Sequence, residues 1–166
     1  CYESFCGDML LGEFEDKLCL CDWVNARHHA AVLGRLRNAL RAEFEAVKSD
    51  MLQKAQRELE EYFAGERKGF DIPLLLVGTD FQKQVWKALQ NIPYGSTISY
   101  KELAKQLCMP KAERAVANAN GANGLSIVVP CHRVIGADGR LTGYAGGLEV
   151  KWFLLETEKE ATAQKD

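Results

Sequence analysis

A cysteine and a histidine stand side by side at the end of an apolar run in the second half of the chain. Cys131 and His132 follow Pro130 and the run Leu125–Val129. A thiolate is a strong nucleophile, and a neighbouring imidazole can accept the proton that the thiol must lose. A free cysteine more often packs as a small buried hydrophobe. The pair therefore predicts a nucleophilic cysteine only if the surrounding residues support it.

The residues around the pair form a longer pattern of short segments. In chain order the segments are Ile98-Ser99-Tyr100, Leu103-Ala104, Pro110-Lys111-Ala112, Arg114-Ala115-Val116, Ala122-Asn123, Ile127 to Gly136, Gly139, Gly143 to Leu148, Lys151 and Leu154-Leu155. This pattern resembles the signature of the O6-methylguanine-DNA methyltransferase family. The resemblance implies a single-turnover enzyme that transfers the alkyl group of O6-alkylguanine, and also of O4-alkylthymine, in DNA to its own cysteine. That product is a stable thioether, and no cofactor or metal takes part.

The resemblance implies a role for each residue of the reactive group. Cys131 is the nucleophile, and His132 is its base, acting directly or through a water molecule. Glu158 orients His132, which completes a Cys-His-Glu relay with the logic of a hydrolase triad. Asn123 braces the cysteine turn, and Tyr100 donates a hydrogen bond to the reacting base.

The target base must leave the DNA stack before a protein thiol can reach it, so the resemblance also implies a base pocket. Main-chain groups of Val134 and Ala145 contact the guanine edge, and Tyr144 forms a wall of the pocket. Gly146 lies in the same glycine-rich loop, Gly143–Leu148. Many relatives carry serine at the position of Ala145, and a contact through the backbone makes that change a small one. A core position for the Tyr144 ring is the alternative.

Two short helices are predicted just before the cysteine. Ser99 and Glu102 have the spacing of a capping box that starts a helix over Tyr100–Leu107. A second helix over Lys111–Asn120 ends at Gly121. The short turn between them predicts a helix-turn-helix, with an ordinary helical hairpin as the alternative.

The second of these helices has small residues around one long cation. The resemblance places it in the minor groove of DNA, where Arg114 fills the gap that the extruded nucleotide leaves. A planar guanidinium can stack on bases, as lysine cannot. The other predicted DNA contacts are Lys111, Ala112, Asn118 and Arg133. A surface salt bridge is the alternative for Arg114.

Charge is unevenly distributed along the chain. The net charge is -2, but Phe81–Leu155 holds nine Lys or Arg against four acidic residues, a local net of +5 that leaves -7 for the remainder. This segregation predicts a DNA-binding surface in the second half of the chain, and a solvated face of mixed charge is the alternative.

The predicted secondary-structure elements fall into two lobes, with the boundary at Gly78. Residues 1–24 have the pattern of strands and turns. Two helices are predicted in the first half, one over His28–Val47 and one from the Ser49-Asp50 cap to Gly65. A third is predicted over Phe81–Gln90, with Thr79 or Asp80 as its cap. The apolar stretch Phe70–Val77 is a candidate strand. The predicted fold is α/β (α+β), with a small sheet-plus-helix lobe over residues 1–78. Residues 79–166 form a mainly helical lobe with a winged-helix-like helix-turn-helix.

Composition limits the class of protein. With 166 residues, 47% of them hydrophobic, the chain can bury its own core, and no apolar run approaches the roughly 18 residues of a membrane span. Its six cysteines lack the spacing of a disulfide framework, so we expect a reducing compartment, cytoplasmic or nuclear. We also expect a monomer whose partner is double-stranded DNA and not a membrane. Zinc at Cys6, Cys19, Cys21, His28 or His29 is an alternative that the spacing does not favour, so we expect no metal.

Two other functions use the same residues. A cysteine hydrolase would need an oxyanion hole in addition to the Cys-His-Glu set, and it would turn over. A protein that binds alkylated DNA without repairing it would lack the cysteine, so Cys131 argues against that function.

Overall fold

The computed structural model of the protein describes residues 1–164. The strands are β1 (Tyr2–Ser4), β2 (Gly7–Phe14), β3 (Lys17–Trp23), β4 (Ile98–Ser99) and β5 (Val134–Ile135). The helices are α1 (His29–Leu40), α2 (Asp50–Phe63), α3 (Asp80–Leu89), α4 (Tyr100–Gln106), α5 (Glu113–Gly121) and α6 (Leu148–Ala163). The mixed α/β architecture and the sheet-then-helices order that the sequence predicts are confirmed.

The first half of the chain is built on an antiparallel sheet in the order β1-β2-β3. Strand β3 is almost entirely buried, because α2 packs on one side of the sheet and α1 on the other. The candidate strand over Phe70–Val77 is wrong except at one point, a single parallel bridge between Leu18 and Leu74. Two backbone hydrogen bonds of Leu18 hold this segment to the edge of β3.

The predicted helix over His28–Val47 is too long. Helix α1 ends at Leu40, and Arg41 adopts a left-handed conformation with φ of 50°. Val32 and Leu36 are buried against the sheet, whereas Phe44 and Val47 are 44% and 53% exposed. The apolar spacing beyond Leu40 therefore does not correspond to a buried face, and only a buried face would have extended the helix.

The following helices begin at the predicted caps. Ser49 accepts the Leu52 amide at the start of α2, and Thr79 forms a full capping box with Gln82 at the start of α3. Ser99 accepts the Glu102 amide at the start of α4. These side chains satisfy backbone amides that the first helical turn leaves free.

Helices α4 and α5 form the predicted helix-turn-helix. The turn places Cys108 in a left-handed conformation with φ of 60°. Helix α5 begins at Glu113, two residues later than predicted, because the segment from Pro110 forms a turn and Ala112 is the N-cap. Strands β4 and β5 lie beside this pair as a small parallel sheet.

A common core joins the two halves of the chain. It combines Met9, Leu18, Cys21, Leu59 and Tyr62 with Val85, Trp86, Leu89, Leu103, Val116 and Leu154. The edge of β3 also bonds directly to the segment before the cysteine, since the Cys21 amide donates to the Gly124 carbonyl and the Ser126 amide donates to the Cys21 carbonyl. The backbone that leads to Cys131 is thus fixed to the N-terminal sheet.

Three further features concern residues 1–164. No helix in this range has the length and apolar character to cross a membrane. All six cysteines are free thiols. No group of three or more His, Cys, Asp or Glu side chains is arranged to hold a metal ion.

Candidate active site

The approach to the cysteine is a tight loop that Asn123 holds together. The Asn123 side chain donates to the Val129 carbonyl at 2.9 Å and accepts the Leu125 amide at 3.0 Å. Within this loop Ile127 has a φ of 72°, a left-handed conformation that a β-branched residue rarely adopts. The Asn123 side chain therefore closes a strained loop that leads directly to Cys131. This is the physical basis for the bracing role that the sequence predicts.

Cys131 begins a single 3-10 turn that ends at Arg133. The residue is 4% exposed. Burial raises the pKa of the Cys131 thiol to about 11, although the Asn123 side chain and the positive charge of Lys151 oppose that rise. The resting cysteine is therefore a protonated thiol at neutral pH, and nucleophilic attack requires a base.

His132 is fully buried and pairs with Glu158 from α6. Its Nε2 atom donates to Oε2 of the carboxylate, whereas its Nδ1 atom is buried and has no hydrogen-bond partner among residues 1–164. Burial lowers the pKa of His132 despite the opposing effect of Glu158. A neutral imidazole with a free Nδ1 lone pair is the form that can accept a proton.

Glu158 is fully buried and accepts four hydrogen bonds. Oε2 accepts from His132 and from the Tyr62 hydroxyl at 2.6 Å, and Oε1 accepts from Arg133 Nε at 2.8 Å and from the Gly95 amide at 3.1 Å. Burial alone would raise the pKa of Glu158, but bonding to His132 and Arg133 outweighs burial and lowers it to about 2. Glu158 is thus a carboxylate that fixes the histidine tautomer and orientation.

The prediction that Arg133 contacts DNA is wrong. Its side chain is 8% exposed and lies in the interior, where Nε donates to Glu158 and Nη1 donates to the Ile92 carbonyl at 2.8 Å. The 3-10 turn directs it inward, because the buried Glu158 carboxylate requires a compensating charge. Arg133 therefore belongs to the relay.

Lys151 on α6 is a buried cation that the sequence pattern did not mark as a site residue. Its Nζ atom donates to the Val134 carbonyl at 2.6 Å and to the Thr142 carbonyl at 2.7 Å. Burial lowers its pKa to about 8, against the effect of the Cys131 thiolate. Lys151 joins the backbone after the cysteine to the loop after β5, and its charge favours the thiolate.

The glycine-rich loop lies against the N-terminal sheet. The Trp23 indole donates to the Tyr144 hydroxyl at 3.5 Å. A Cβ atom on Gly146 would lie 2.7 Å from the Trp23 ring, so only glycine permits this close approach. Tyr144 is half-buried with its ring 6.5 Å from that of His132, and Ala145 is also half-buried. The loop thus lies beside His132.

Tyr100 is the first residue of α4, and Val134 begins β5 directly after the cysteine turn. The Tyr100 hydroxyl donates to the Thr142 carbonyl at 3.3 Å. The Val134 amide donates to the Cys131 carbonyl, and its own carbonyl accepts from Lys151. A carbonyl oxygen has two lone pairs, so Val134 can accept from a second donor.

Helix α5 presents a polar outer face. Lys111, Arg114 and Asn118 are exposed, and Ala112 is half-buried at the N-cap. Among the basic residues of Phe81–Leu155, two are buried, which leaves seven against four acidic residues on this part of the surface. The basic excess is smaller than the sequence count indicated.

Comparison with known proteins identifies the family of this chain. The family model described as "6-O-methylguanine DNA methyltransferase, ribonuclease-like domain" matches residues 1–76, and the one described as "6-O-methylguanine DNA methyltransferase, DNA binding domain" matches residues 80–160. This chain belongs to the 6-O-methylguanine DNA methyltransferase family. The predicted membership and the predicted enzyme class, a protein-cysteine methyltransferase, are confirmed.

Individual relatives cover most or all of the chain. The constitutive methylated-DNA--protein-cysteine methyltransferase of Bacillus subtilis is 42% identical over 98% of this chain and 96% of its own length. The Methanosarcina acetivorans protein of the same name is 58% identical over 66% of this chain and 70% of its own. The structure of Mycobacterium tuberculosis OGT in complex with DNA has a TM-score of 0.82 and 42% identity, covering 96% of this chain and 91% of that one.

Within this methyltransferase, two buried partners of Glu158 were missed from the sequence. Tyr62 looks like one more inward residue of an amphipathic helix, and Arg133 looks like one more cation of a basic segment. A local signal for Arg133 does exist, since it adjoins a Cys-His pair at the exit of an apolar run. The contact partners of Tyr62 lie 70 and 96 residues away, so no local signal identifies it.

Proposed function

We propose that this methyltransferase repairs DNA by moving the alkyl group of O6-alkylguanine, and of O4-alkylthymine, onto Cys131 in one irreversible step. The observation that carries the proposal is the buried thiol next to a histidine whose Nδ1 is free and whose Nε2 is held by a carboxylate. The names of its relatives and the DNA complex of the Mycobacterium tuberculosis protein support the same activity.

The reaction begins with a proton transfer. The Cys131 thiol gives its proton to His132 Nδ1, directly or through a water molecule, and Glu158 stabilises the resulting imidazolium. The thiolate attacks the alkyl carbon, and the bond between that carbon and O6 breaks, with its electron pair going to the guanine. Tyr100 donates the proton that neutralises the departing guanine. Tyr100 then regains a proton from solvent and the His132 imidazolium releases one to solvent, so both residues end neutral. The product is a thioether on Cys131, which no residue of the site can remove.

The proposal extends to the base-binding groups that the family resemblance implies. The Val134 carbonyl and the Ala145 backbone contact the guanine edge, and Tyr144 and Gly146 form one wall of its pocket. Lys151 fixes the backbone of that pocket through the Val134 and Thr142 carbonyls. Because Val134 is buried and Lys151 bonds its carbonyl, this side of the pocket is fixed and can hold the base in line for displacement.

DNA is bound through the helix-turn-helix, with residues 79–166 supplying the contacts. Helix α5 lies in the minor groove, Arg114 occupies the space of the flipped nucleotide, and Lys111, Ala112 and Asn118 contact the backbone around it. The exposure of Lys111, Arg114 and Asn118 and the local excess of basic side chains support this DNA-binding face. The protein acts as a monomer. Its compartment is a reducing one, because the reaction requires a free Cys131 thiol.

The intact mass of the protein after incubation with duplex DNA containing O6-methylguanine tests the function. One methyl group is expected per molecule, located on the Cys131 peptide, and Cys131→Ala is expected to gain none while still binding DNA. A cysteine hydrolase would return to its unmodified mass and continue to turn over. Methyl transfer to Cys108 or Cys21 would contradict the assignment of the nucleophile.

A further inference from the structure

Tyr62 is a residue of the N-terminal half whose hydroxyl reaches the relay. It lies on α2 and is fully buried. The hydroxyl donates to Glu158 Oε2 at 2.6 Å, the oxygen that also accepts from His132, and it lies 3.5 Å from His132 Nε2. Two donors therefore share one carboxylate oxygen, one of them the base of the proposed transfer reaction.

Packing accounts for the ring of Tyr62 but not for its hydroxyl. The ring is surrounded by Phe63, Phe70 and Tyr94, with centroids 5.7, 5.8 and 6.2 Å away. A phenylalanine would fill the same volume. Tyr94 provides the contrast, because its hydroxyl is also buried yet has no hydrogen-bond partner among the described residues. The same aromatic cluster thus holds one hydroxyl that bonds the relay and one that does not.

The hydroxyl of Tyr62 acts on His132 through their shared carboxylate. Each donor to Oε2 withdraws charge from it, so the Tyr62 hydrogen bond weakens the attraction of Glu158 for a protonated His132. Five other titratable or charged groups surround the Glu158–His132 pair. They are Arg133 from the 3-10 turn, Tyr94 from the loop after α3, Lys151 on α6, Tyr144 on the glycine-rich loop and Cys131. Arg133 bonds the opposite oxygen, Oε1, so Tyr62 and Arg133 hold Glu158 from two sides.

We propose that Tyr62 is a positioning residue of the alkyl-transfer relay, which orients Glu158 and keeps His132 unprotonated down to a lower pH than the carboxylate alone would allow. This inference rests on the proposed function. It gives the N-terminal half a part in the chemistry, because α2 supplies a hydrogen bond to the carboxylate that orients the base.

The test is the pH dependence of alkyl transfer from free O6-benzylguanine, which requires no DNA binding. In Tyr62→Phe the acid-side midpoint of the rate profile is expected to move up by at most about one pH unit, since only part of the value of a hydrogen bond to a charged group differs between neutral and protonated His132. Tyr94→Phe, which removes the unpaired hydroxyl of the same cluster, is the matched control and should keep the wild-type midpoint. A purely structural role of Tyr62 would lower the rate by the same factor at every pH and leave the midpoint in place.

A second arm keeps the hydroxyl and changes its strength. With 3-fluorotyrosine placed at position 62 alone, the more acidic phenol donates a stronger hydrogen bond. The acid-side midpoint of the rate profile should therefore move to lower pH. An unchanged midpoint in a folded Tyr62→Phe protein, or equal shifts in Tyr62→Phe and Tyr94→Phe, would overturn the inference. If Tyr62→Phe does not fold, an unchanged midpoint in the fluorinated protein overturns it. Failure of the wild-type protein to take a methyl group from duplex DNA containing O6-methylguanine would instead refute the proposed function.

Discussion

The relay around Glu158 and the outer face of α5 contain similar side chains in opposite surroundings. Arg133 is buried, bonds a carboxylate and a carbonyl, and lies next to the reactive residues. Arg114 is exposed on α5, in the helix that the proposed function assigns to DNA. Both arginines come from the same basic segment of the sequence, yet one stabilises an internal carboxylate and the other remains available for a partner.

This contrast separates two properties of the protein. In the proposed function, proton transfer depends on buried groups whose pKa values are shifted by burial and by each other. DNA binding depends there on side chains that are exposed to solvent in the free protein. Substitutions in the two regions should therefore affect different measurements, and each prediction below tests that separation.

The largest effect is expected for loss of the base. His132→Ala should slow alkyl transfer at neutral pH by about 10²- to 10⁴-fold, the usual contribution of a general base, because the Cys131 thiol would keep its proton. Single-turnover rates with duplex DNA measure this loss. Affinity for the duplex should stay within about twofold of wild type, since His132 is buried. An equal loss of affinity would show that the two regions are not separable.

The two arginines should differ sharply in their effect on stability. Arg133→Met leaves Glu158 without its charged partner in the interior, and breaking such a pair costs about 3–5 kcal/mol. Arg114→Met should change the free energy of unfolding by less than about 0.5 kcal/mol, as for other exposed positions. Urea unfolding of both variants gives the two values, and similar losses would contradict the buried and exposed assignments.

The lowered pKa values of the buried Glu158 and His132 should also appear in the pH dependence of the free energy of unfolding. The pKa of Glu158 is about 2 in the folded protein against 4.5 ordinarily, so its contribution, on the order of 3 kcal/mol, is present above about pH 4.5 and lost as the pH falls. The pKa of His132 is lowered, so the unfolded chain takes up a proton first below about pH 6.5 and stability falls there too. The stability difference between wild type and Glu158→Gln should narrow as the pH falls from 4.5. A constant difference would argue against a depressed carboxylate pKa.

A smaller effect is expected in the salt dependence of DNA binding. Each lysine or arginine that neutralises a phosphate adds about -0.9 to the slope of log affinity against log salt. Lys111→Ala should reduce the slope by roughly that amount, whereas Lys48→Ala, an exposed change in the segment between α1 and α2, should leave it unaltered. Equal slopes in wild type and Lys111→Ala would remove Lys111 from the proposed interface.

The sequence predicts best where local chemistry determines the structure. Ser49, Thr79 and Ser99 cap the helices that their spacing predicts, because capping depends on residues within one turn. The His132–Glu158 pair was also predicted, but only through the family resemblance, since 26 residues separate the two. Local patterns therefore locate elements, and only a known family locates this long-range pair.

The errors arise where tertiary contacts outweigh local pattern. The apolar spacing of Phe44 and Val47 predicts a longer α1, but these residues remain exposed and the helix ends at Leu40. Arg133 was counted with the basic surface because its partners, Glu158 and the Ile92 carbonyl, are remote in sequence. A charge count cannot distinguish a buried cation from an exposed one.

The most direct test of this separation compares two variants on two substrates. Single-turnover rates are measured for Glu158→Gln and Arg114→Ala with alkylated duplex DNA and with free O6-benzylguanine, which needs no base flipping. Glu158→Gln should slow both reactions by the same factor. Arg114→Ala should slow the duplex reaction and leave the free base nearly unaffected, and Arg114→Lys should restore little because it lacks a planar group. Equal losses on the two substrates for Arg114→Ala would show that Arg114 supports the pocket or the fold, and would contradict the separation of chemistry from DNA handling.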